Sequence, residues 1–364
     1  MTLLKRIGSA MAASAVVLVS TGTAMPAAGH DNGLRHGNQG SYSWQLSPTG
    51  STARLRGLSA VSADVAWASG TNGTVLRTTN GGATWSSVGP PDTGTLQFRD
   101  IEATSASHAV ALSIGEGEDS RVYVTDDGGA TWTESFRNHE AAAFYDCMAF
   151  FNEKDGLALS DPVDGKFRLI ETSDAGHSWS IVDNAGMPAA RPGEFAFAAS
   201  GTCLTTGPGH RAYIGSGGVN PGRVYSTKDA GATWDVQDSP VAGADAGGVF
   251  SVRVRDAQRG ISVGGDFSNP AGNVDNAAFT EDGGATWLAA TGRTPGGYRS
   301  GSAWVPGTSR TALAVGPTGS DVSVDGGRSW AAFDSGSFDS VECARDGACW
   351  ASGAQGRLAR LSRS

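Results

Sequence analysis

The middle of the chain holds the side chains that are best suited to form a binding or catalytic site. They are four carboxylates, one guanidinium group and one phenol in loop-like stretches: Asp146, Asp161, Glu194, Asp266, Arg299 and Tyr145. Two carboxylates that face a shared cleft could act as acid and base on a glycosidic bond. The same groups could instead bind a basic peptide or a cation, or they could simply cap turns and solvate a surface. We predict that the six side chains form a ligand-binding site, and we assign no catalytic residue.

The longest insertion, residues 264–276, is rich in oxygen-bearing side chains of the kind that bind calcium. These are Asp266, Asn269, Asn273 and Asp275. Their spacing departs from that of the EF-hand loop, so the pattern is a weak signal. We therefore predict no metal and no other cofactor, with calcium at this loop as the alternative.

Several common catalytic motifs are absent from the sequence. It has no Gly-x-Gly-x-x-Gly after a strand, no phosphate-binding loop, no Gly-x-Ser-x-Gly and no His-Glu-x-x-His. Dinucleotide-dependent oxidoreduction therefore has no basis in these residues. The residues that could do chemistry must instead be positioned by a repetitive framework.

Six near-copies of one eight-residue phrase supply that framework. They are Thr78–Trp85, Thr125–Trp132, Thr172–Trp179, Thr227–Trp234, Thr280–Trp287 and Ser323–Trp330. Successive copies lie 43 to 55 residues apart. A period of this size predicts stacked supersecondary units, most often a solenoid or a propeller.

Each eight-residue repeat reads as a turn between two strands. Its first residue is Ser or Thr, its third is Asp (Asn80 in the first copy), its fifth is Gly and its eighth is Trp. The carboxylate can accept hydrogen bonds from backbone N–H groups of the turn, and the glycine can adopt a positive φ without steric cost. The tryptophan begins the next strand and can bury a large apolar face.

The repeats resemble the Asp-box, or BNR repeat, of sialidases, sortilin-type receptors and photosystem II assembly factors. In those families the box joins the third and fourth strands of a propeller blade, which implies a structural role for the boxes. The segments between the repeats read as short strands, four to a period. Glycine makes up 53 of the 364 residues, as a turn-dense all-β protein requires. The boxes would occupy one end of the ring, and the six candidate site residues would lie at the opposite end.

The last unit is incomplete, and the N-terminal region offers the missing strand. Cys349–Gly356 matches Ala66–Gly73 of the first unit, but the chain stops where another repeat should begin. Ser43–Leu46 looks like the strand that follows each repeat. We predict an all-β, seven-bladed β-propeller of four-stranded blades, whose ring is closed by the N-terminal strand. The predicted blades are 49–88, 95–138, 142–184, 194–240, 247–292, 297–336, and 337–361 with 41–48.

The N-terminal region predicts export. Residues 1–28 have a short basic start, an apolar stretch too short to span a bilayer and small residues up to Ala28, as in a secretory signal peptide. Residues 29–40 read as a flexible tail, and the propeller domain spans 41–364. We expect the mature protein to be secreted or extracytoplasmic, without membrane insertion.

The net charge limits the classes of partner that we expect, and the cysteine content predicts disulfides. The net charge of −9 disfavours nucleic acid and anionic membranes. Four cysteines in an exported chain suggest two disulfides. Cys343 and Cys349 flank a short turn and should pair, whereas the pairing of Cys147 with Cys203 is left open.

Over residues 41–364 the blade motifs look most like those of photosystem II stability/assembly-factor-like BNR proteins. That resemblance implies an exported, non-enzymatic protein that holds a partner polypeptide. We therefore expect a monomeric propeller that presents an acidic loop face to a protein or peptide, with a glycan as a further possibility. The alternative is a glycoside hydrolase or lyase that uses the carboxylates of the middle blades.

Overall fold

The computed structural model describes residues 41–363, which form an all-β propeller of seven four-stranded antiparallel sheets. The signal peptide and tail predicted for residues 1–40 lie outside the described residues. Between residues 41 and 363, no helix is long and apolar enough to cross a membrane. Apart from a short 3-10 helix at Gly117–Asp119, the regular elements of this region are strands β1 to β28.

The strands follow one another blade by blade, from the inner strand outwards. Blade one contains β2 Leu55–Ala60, β3 Ala66–Gly70, β4 Val75–Thr78 and β5 Ser86–Ser87. Blade two contains β6 Gln97–Ala103, β7 Ala109–Ile114, β8 Arg121–Thr125 and β9 Thr133–Arg137. Blade three contains β10 Tyr145–Phe150, β11 Gly156–Val163, β12 Lys166–Thr172 and β13 Ser180–Ile181. Blade four contains β14 Leu204–Gly207, β15 Arg211–Ser216, β16 Arg223–Thr227 and β17 Asp235–Asp238.

The remaining blades repeat the pattern, except that the last one draws on both ends of the chain. Blade five contains β18 Gly247–Val254, β19 Gly260–Asp266, β20 Ala277–Thr280 and β21 Leu288–Ala289. Blade six contains β22 Gly301–Trp304, β23 Ala312–Gly316, β24 Gly319–Ser323 and β25 Ala331–Asp334. Blade seven contains β26 Ser340–Cys343, β27 Cys349–Ser352, β28 Leu358–Arg363 and β1 Tyr42–Ser47. The predicted fold class is confirmed.

The strand register separates the two ends of the ring. In blade two, Gln97 at the start of the inner strand lies opposite Ile114, where the second strand ends. Inner strands therefore begin, and second-to-third-strand loops lie, at one end, which we call the loop face. The turns between third and fourth strands, formed by the eight-residue repeats, lie at the other end, which we call the repeat face.

The repeats form the hydrogen-bonded turns that their composition predicts. In blade two, Asp127 Oδ1 accepts hydrogen bonds from Thr125 Oγ1 at 3.0 Å and from the Thr131 amide at 2.8 Å. Thr125 Oγ1 in turn accepts the Gly129 amide at 2.9 Å, and Gly129 has φ of 83°. The same bonds recur around Asp174, Asp229, Asp282 and Asp325, and Asn80 replaces the carboxylate in blade one.

The core of the described region is divided among the interfaces between neighbouring blades. Seven clusters of buried apolar side chains join successive blades around the ring, including blade seven to blade one. In six of them the tryptophan that closes one repeat belongs to the cluster or packs against it, and the seventh, between blades six and seven, contains Trp44. Trp44 therefore occupies the position that a seventh repeat would have filled.

One disulfide lies within blade seven, and the other joins blades three and four. Cys343 and Cys349 pair across the first hairpin of blade seven, as predicted. Cys147 of β10 pairs with Cys203, directly before β14, so the pairing left open from the sequence is present and connects blades three and four.

The ring closure predicts that Trp44 is required for stability. Its indole donates to Ser320 Oγ at 2.9 Å, and its ring lies 5.4 Å from that of Phe338. Replacing it with Ala should lower the free energy of unfolding by about 3 kcal/mol, because a buried aromatic side chain leaves a cavity. Leu46→Ala on the same strand is the control, since Leu46 is exposed and should change stability by less than about 0.5 kcal/mol. Equal denaturation midpoints for the two variants would contradict the closure.

Candidate functional site

The structure places the six predicted site residues at the loop face. Most of them, however, are buried or bonded to other residues of the propeller. Tyr145 and Asp146 begin β10, Asp161 lies near the end of β11, and Asp266 ends β19. Glu194 lies in the loop before blade four, and Arg299 directly precedes β22. No ligand contact tests these residues, so their role in binding stays a prediction.

Glu194 is held by a buried ion pair. Its carboxylate accepts hydrogen bonds from Arg223 Nε at 2.9 Å and Nη2 at 2.5 Å, and from Ser216 Oγ at 2.6 Å. Both partners of the pair are buried. A carboxylate with this many charge-assisted donors is fully compensated inside the protein. Glu194 therefore fixes the loop before blade four to the start of β16.

Asp146, Asp161 and Tyr145 are also buried. Asp161 Oδ1 accepts the Ala196 amide at 2.9 Å, and so connects blade three to the loop that holds Glu194. Asp146 lies in the irregularity of register between Tyr145 and Cys147 in β10. The Tyr145 ring packs edge-on against Phe136, and burial raises the pKa of its phenol. As they stand, the two aspartates and Glu194 do not form an exposed acidic patch.

Arg299 and Asp266 lie nearer to blades five and six. Arg299 forms a buried ion pair with Asp321, with Nε 2.6 Å from Oδ2. Asp266 caps a turn by accepting the amide of Ser268 at 2.8 Å and its hydroxyl at 2.6 Å. Calcium at this loop stays the alternative to the predicted absence of a metal. The glycosidase alternative requires carboxyl groups that exchange protons with a substrate, and the bonds of Glu194 and Asp266 lend it no support.

The most important feature that the sequence did not predict is the path of residues 194–202. The sequence places residue 194 at the entry to blade four, whose inner strand β14 begins at Leu204. Residues 194–202 do not lead directly into this strand but reach across the ring to other blades, and we call them the crossing segment. Arg99 of blade two donates to the Ala198 carbonyl at 2.9 Å, and Ser200 Oγ donates to the Ser300 carbonyl before blade six at 2.7 Å.

The far end of the crossing segment is anchored on further blades. Ser340 Oγ of blade seven lies 3.3 Å from the Ser200 carbonyl, and Thr202 Oγ1 lies 2.7 Å from Ser251 Oγ of blade five. The Val252 amide donates to the Thr202 carbonyl at 3.1 Å. The crossing segment therefore closes the channel at the loop face and replaces a channel mouth with a floor.

Aromatic side chains gather on this floor beside blades four to six. They form the aromatic cluster of Phe195, Phe197, Phe250, Phe267 and Tyr298. The rings of Phe197 and Phe250 stack with centroids 3.6 Å apart, and Tyr298 meets Phe250 edge-on at 4.6 Å. Phe267 is 40% exposed and Phe195 is half-buried, so the cluster reaches the surface. None of these five aromatic residues is among the six predicted site residues, because their contacts join segments that are distant in the sequence.

Two arginines of the loop face lie near Tyr298 of the aromatic cluster. Arg54 forms a bidentate pair with Asp339, at 2.9 Å from Nε and 2.7 Å from Nη2, and Arg56 Nε lies 3.8 Å from the same carboxylate. Arg56 Nε is buried without a hydrogen-bond acceptor among the described residues. A buried donor of this kind costs roughly 1–3 kcal/mol. Inner-strand arginines carry no local motif, and sequence reasoning misses them.

Below the floor, the channel holds three carboxyl groups on inner strands, one of them buried and the other two half-buried. They belong to Asp100, Glu102 and Glu342, with Arg253 as the nearby cation. Burial raises the pKa of Asp100 to about 8 and also raises the pKa of Glu102 and of Glu342. Glu342 further raises the pKa of Glu102, because two carboxylates in a shared low-dielectric space repel each other.

Comparisons with known proteins agree with the architecture. No protein-family model and no curated protein sequence matches the chain. Among solved structures, YCF48 bound to a D1 peptide aligns at 15% identity with a TM-score of 0.61, covering 87% of this chain and 96% of that chain. YCF48 from Cyanidioschyzon merolae aligns at 14% identity and 0.61, covering 87% and 98%. The WD40 β-propeller domain of Doa1 aligns at 12% and 0.56, covering 88% and 97%.

The chain shares the β-propeller fold of these structures. At these identities the likeness shows the fold alone. For the fold, the likeness to YCF48 confirms the predicted resemblance to photosystem II assembly-factor-like propellers.

The Glu194–Arg223 pair predicts a strong effect on stability. Glu194→Gln should lower the free energy of unfolding by roughly 3 kcal/mol, because a buried guanidinium group loses its counter-charge. Arg191→Ala is the matched control, since it breaks the exposed pair with Asp238 and should cost less than about 1 kcal/mol. Urea denaturation measures both. A Glu194→Gln variant as stable as the parent would show that the carboxylate is not part of the framework.

The channel carboxyl groups predict a pH dependence of stability. Their raised pKa values mean that the folded protein retains protons that the unfolded chain releases above pH about 4. The free energy of unfolding should therefore fall as pH rises from about 4 to about 8, and Glu102→Gln should flatten this slope. Denaturation midpoints across this range measure it. A midpoint that rises with pH, or an unchanged slope in the variant, would contradict the assignment.

Proposed function

We propose that this protein is an exported, non-enzymatic propeller that binds a polypeptide segment of a partner on its loop face. The observation that carries the proposal is the aromatic cluster, which reaches the surface on a floor closed by the crossing segment. Partly exposed aromatic side chains on a packed platform are typical anchors of protein interfaces. Export rests on the predicted signal peptide.

The exposed loop beside the cluster enlarges the apolar surface. Residues 267–276 connect β19 to β20 at the loop face, and Val274 there is exposed, as is Phe267. Apolar side chains grouped at a surface indicate an interaction site more often than single ones do. An apolar or aromatic side chain of the partner would pack here.

We propose that the acidic character of the loop face comes from exposed carboxylates on its loops. Exposed carboxylates project from several loops around the floor: Glu116, Asp119, Asp164, Asp245 and Asp275. They lie at the same end of the ring as the aromatic cluster and would favour basic residues in the partner. A monomer that binds one extended segment in this way does not catalyse a reaction. The buried carboxylates Asp161 and Glu194 agree with this, because they are held by hydrogen bonds within the protein.

The comparison structure supports the class of partner. YCF48, which shares this fold, is bound to a D1 peptide in one solved structure. A peptide is therefore a ligand that a propeller of this form can hold. The residues of the present loop face would determine which sequence is preferred.

The proposal predicts binding of short synthetic peptides that carry a central Phe or Leu flanked by Lys. Peptides with Glu in place of Lys should bind more weakly, and added salt should reduce the difference. Phe267→Ala should weaken binding by about tenfold or more, because it removes the exposed part of the aromatic cluster. Fluorescence anisotropy with the mature protein measures the affinities.

The control for this prediction is Ile181→Ala. Ile181 is an exposed apolar side chain on the outer strand of blade three, away from the loop-face floor, and its removal should leave peptide affinity unchanged. Equal melting temperatures for parent and both variants ensure that folding is not the cause. Affinity that is insensitive to Phe267→Ala, or lost in Ile181→Ala, would place binding elsewhere.

A further inference from the structure

Three potential metal ligands converge on the repeat face, far from the aromatic cluster. His108 precedes β7 in blade two, Asp126 follows β8, and His177 lies in the repeat of blade three. His108 Nδ1 lies 2.8 Å from Asp126 Oδ1, and His177 Nε2 lies 3.4 Å from Asp126 Oδ2. One ligand atom from each residue lies within 4.8 Å of those of the other two.

The repeat turns do not require these side chains. Asp126 is the second residue of its repeat, where the other copies have Thr79, Ser173, Lys228, Glu281 and Val324. His177 is the sixth residue of its repeat, where the other copies have Ala83, Ala130, Ala232, Ala285 and Arg328. The turn bonds use the first, third, fifth and seventh positions instead. The cluster is therefore an addition to the framework rather than part of it.

The geometry suits a four-coordinate divalent ion. Zinc binds imidazole nitrogen and carboxylate oxygen at about 2.0–2.2 Å, which places neighbouring ligand atoms of a tetrahedron about 3.3 Å apart. The two nitrogen–oxygen separations of the cluster bracket this value. Small rotations of the two imidazole rings would bring all three atoms onto one ion, and the remaining position would hold water.

The surroundings favour exchangeable binding. The imidazole of His108 is 16% exposed and therefore held in place, whereas Asp126 and His177 are open to solvent. All four cysteines of the chain are in disulfides, so no thiolate competes for a soft or borderline ion. A donor set of two imidazoles and one carboxylate suits zinc and its neighbours in the first transition row.

We propose that His108, Asp126 and His177 form a binding site for a divalent transition-metal ion, zinc being the ion that this donor set suits. The ion would connect the repeat face of blade two to that of blade three, since the first two ligands come from blade two and the third from blade three. It would stabilise this interface without contributing to the loop face.

The test titrates the full mature protein with Zn²⁺ alone and with Co²⁺ alone. Calorimetry should show a single equivalent of Zn²⁺, and Co²⁺ should give the visible absorption of a four-coordinate nitrogen–oxygen site. Zn²⁺ should also raise the melting temperature, because it binds only the folded protein. His108→Ala, His177→Ala and Asp126→Asn should each weaken Zn²⁺ binding by about tenfold or more.

Two controls use the other histidines of the chain. His139→Ala and His210→Ala remove histidines from elsewhere in the propeller and should leave the Zn²⁺ affinity unchanged. A variant that replaces both His30 and His36 tests the N-terminal region and should also bind as the parent does. No bound equivalent, an affinity that survives all three site substitutions, or an affinity lost with His30 and His36 would overturn the proposal.

Discussion

The structure depends on one small hydrogen-bonded turn that the chain uses six times. In each repeat a Ser or Thr hydroxyl accepts the amide of the fifth-position glycine, and a carboxylate or amide oxygen accepts the amide of the seventh residue. These bonds fix the connection between the third and fourth strands and orient the tryptophan that follows. The tryptophan then packs against the preceding blade, so one local turn determines both the blade and its neighbour.

This arrangement separates the two ends of the ring physically. The repeat face is dictated by turns that tolerate little change in backbone, whereas the loop face is free to vary in length and sequence. The crossing segment uses that freedom. Before it enters blade four, it contacts Arg99, Ser300 and Ser340 on distant blades, and so forms a floor across the channel opening. Aromatic and arginine side chains then have a fixed surface on which to meet a partner.

The sequence was sufficient for the fold because the signals that define it are local and repeated. The repeats, the strand pattern between them and the match of Ser43–Leu46 to a fourth strand predict seven blades and their closure, all of which the structure contains. The candidate site was less predictable, since its interactions join distant residues. Nothing in the sequence around Glu194 shows that Arg223 is its partner. The sequence also does not distinguish a buried carboxylate with an ion-pair partner from an exposed one. For the same reason, the sequence places residue 194 at the entry to blade four but does not show that the following residues cross the ring.

The crossing segment is docked as firmly as an inner strand and gives the loop face a fixed floor. Amide hydrogen exchange of the free protein, resolved by residue with NMR, tests this most directly. The Phe195 amide donates to the Gly217 carbonyl and the Ala196 amide to Asp161 Oδ1. Both amides should exchange as slowly as those of the inner strands β10 and β18, and far more slowly than those of Asn273 and Val274 in the exposed loop. Exchange of Phe195 and Ala196 at the rate of that loop would contradict the account.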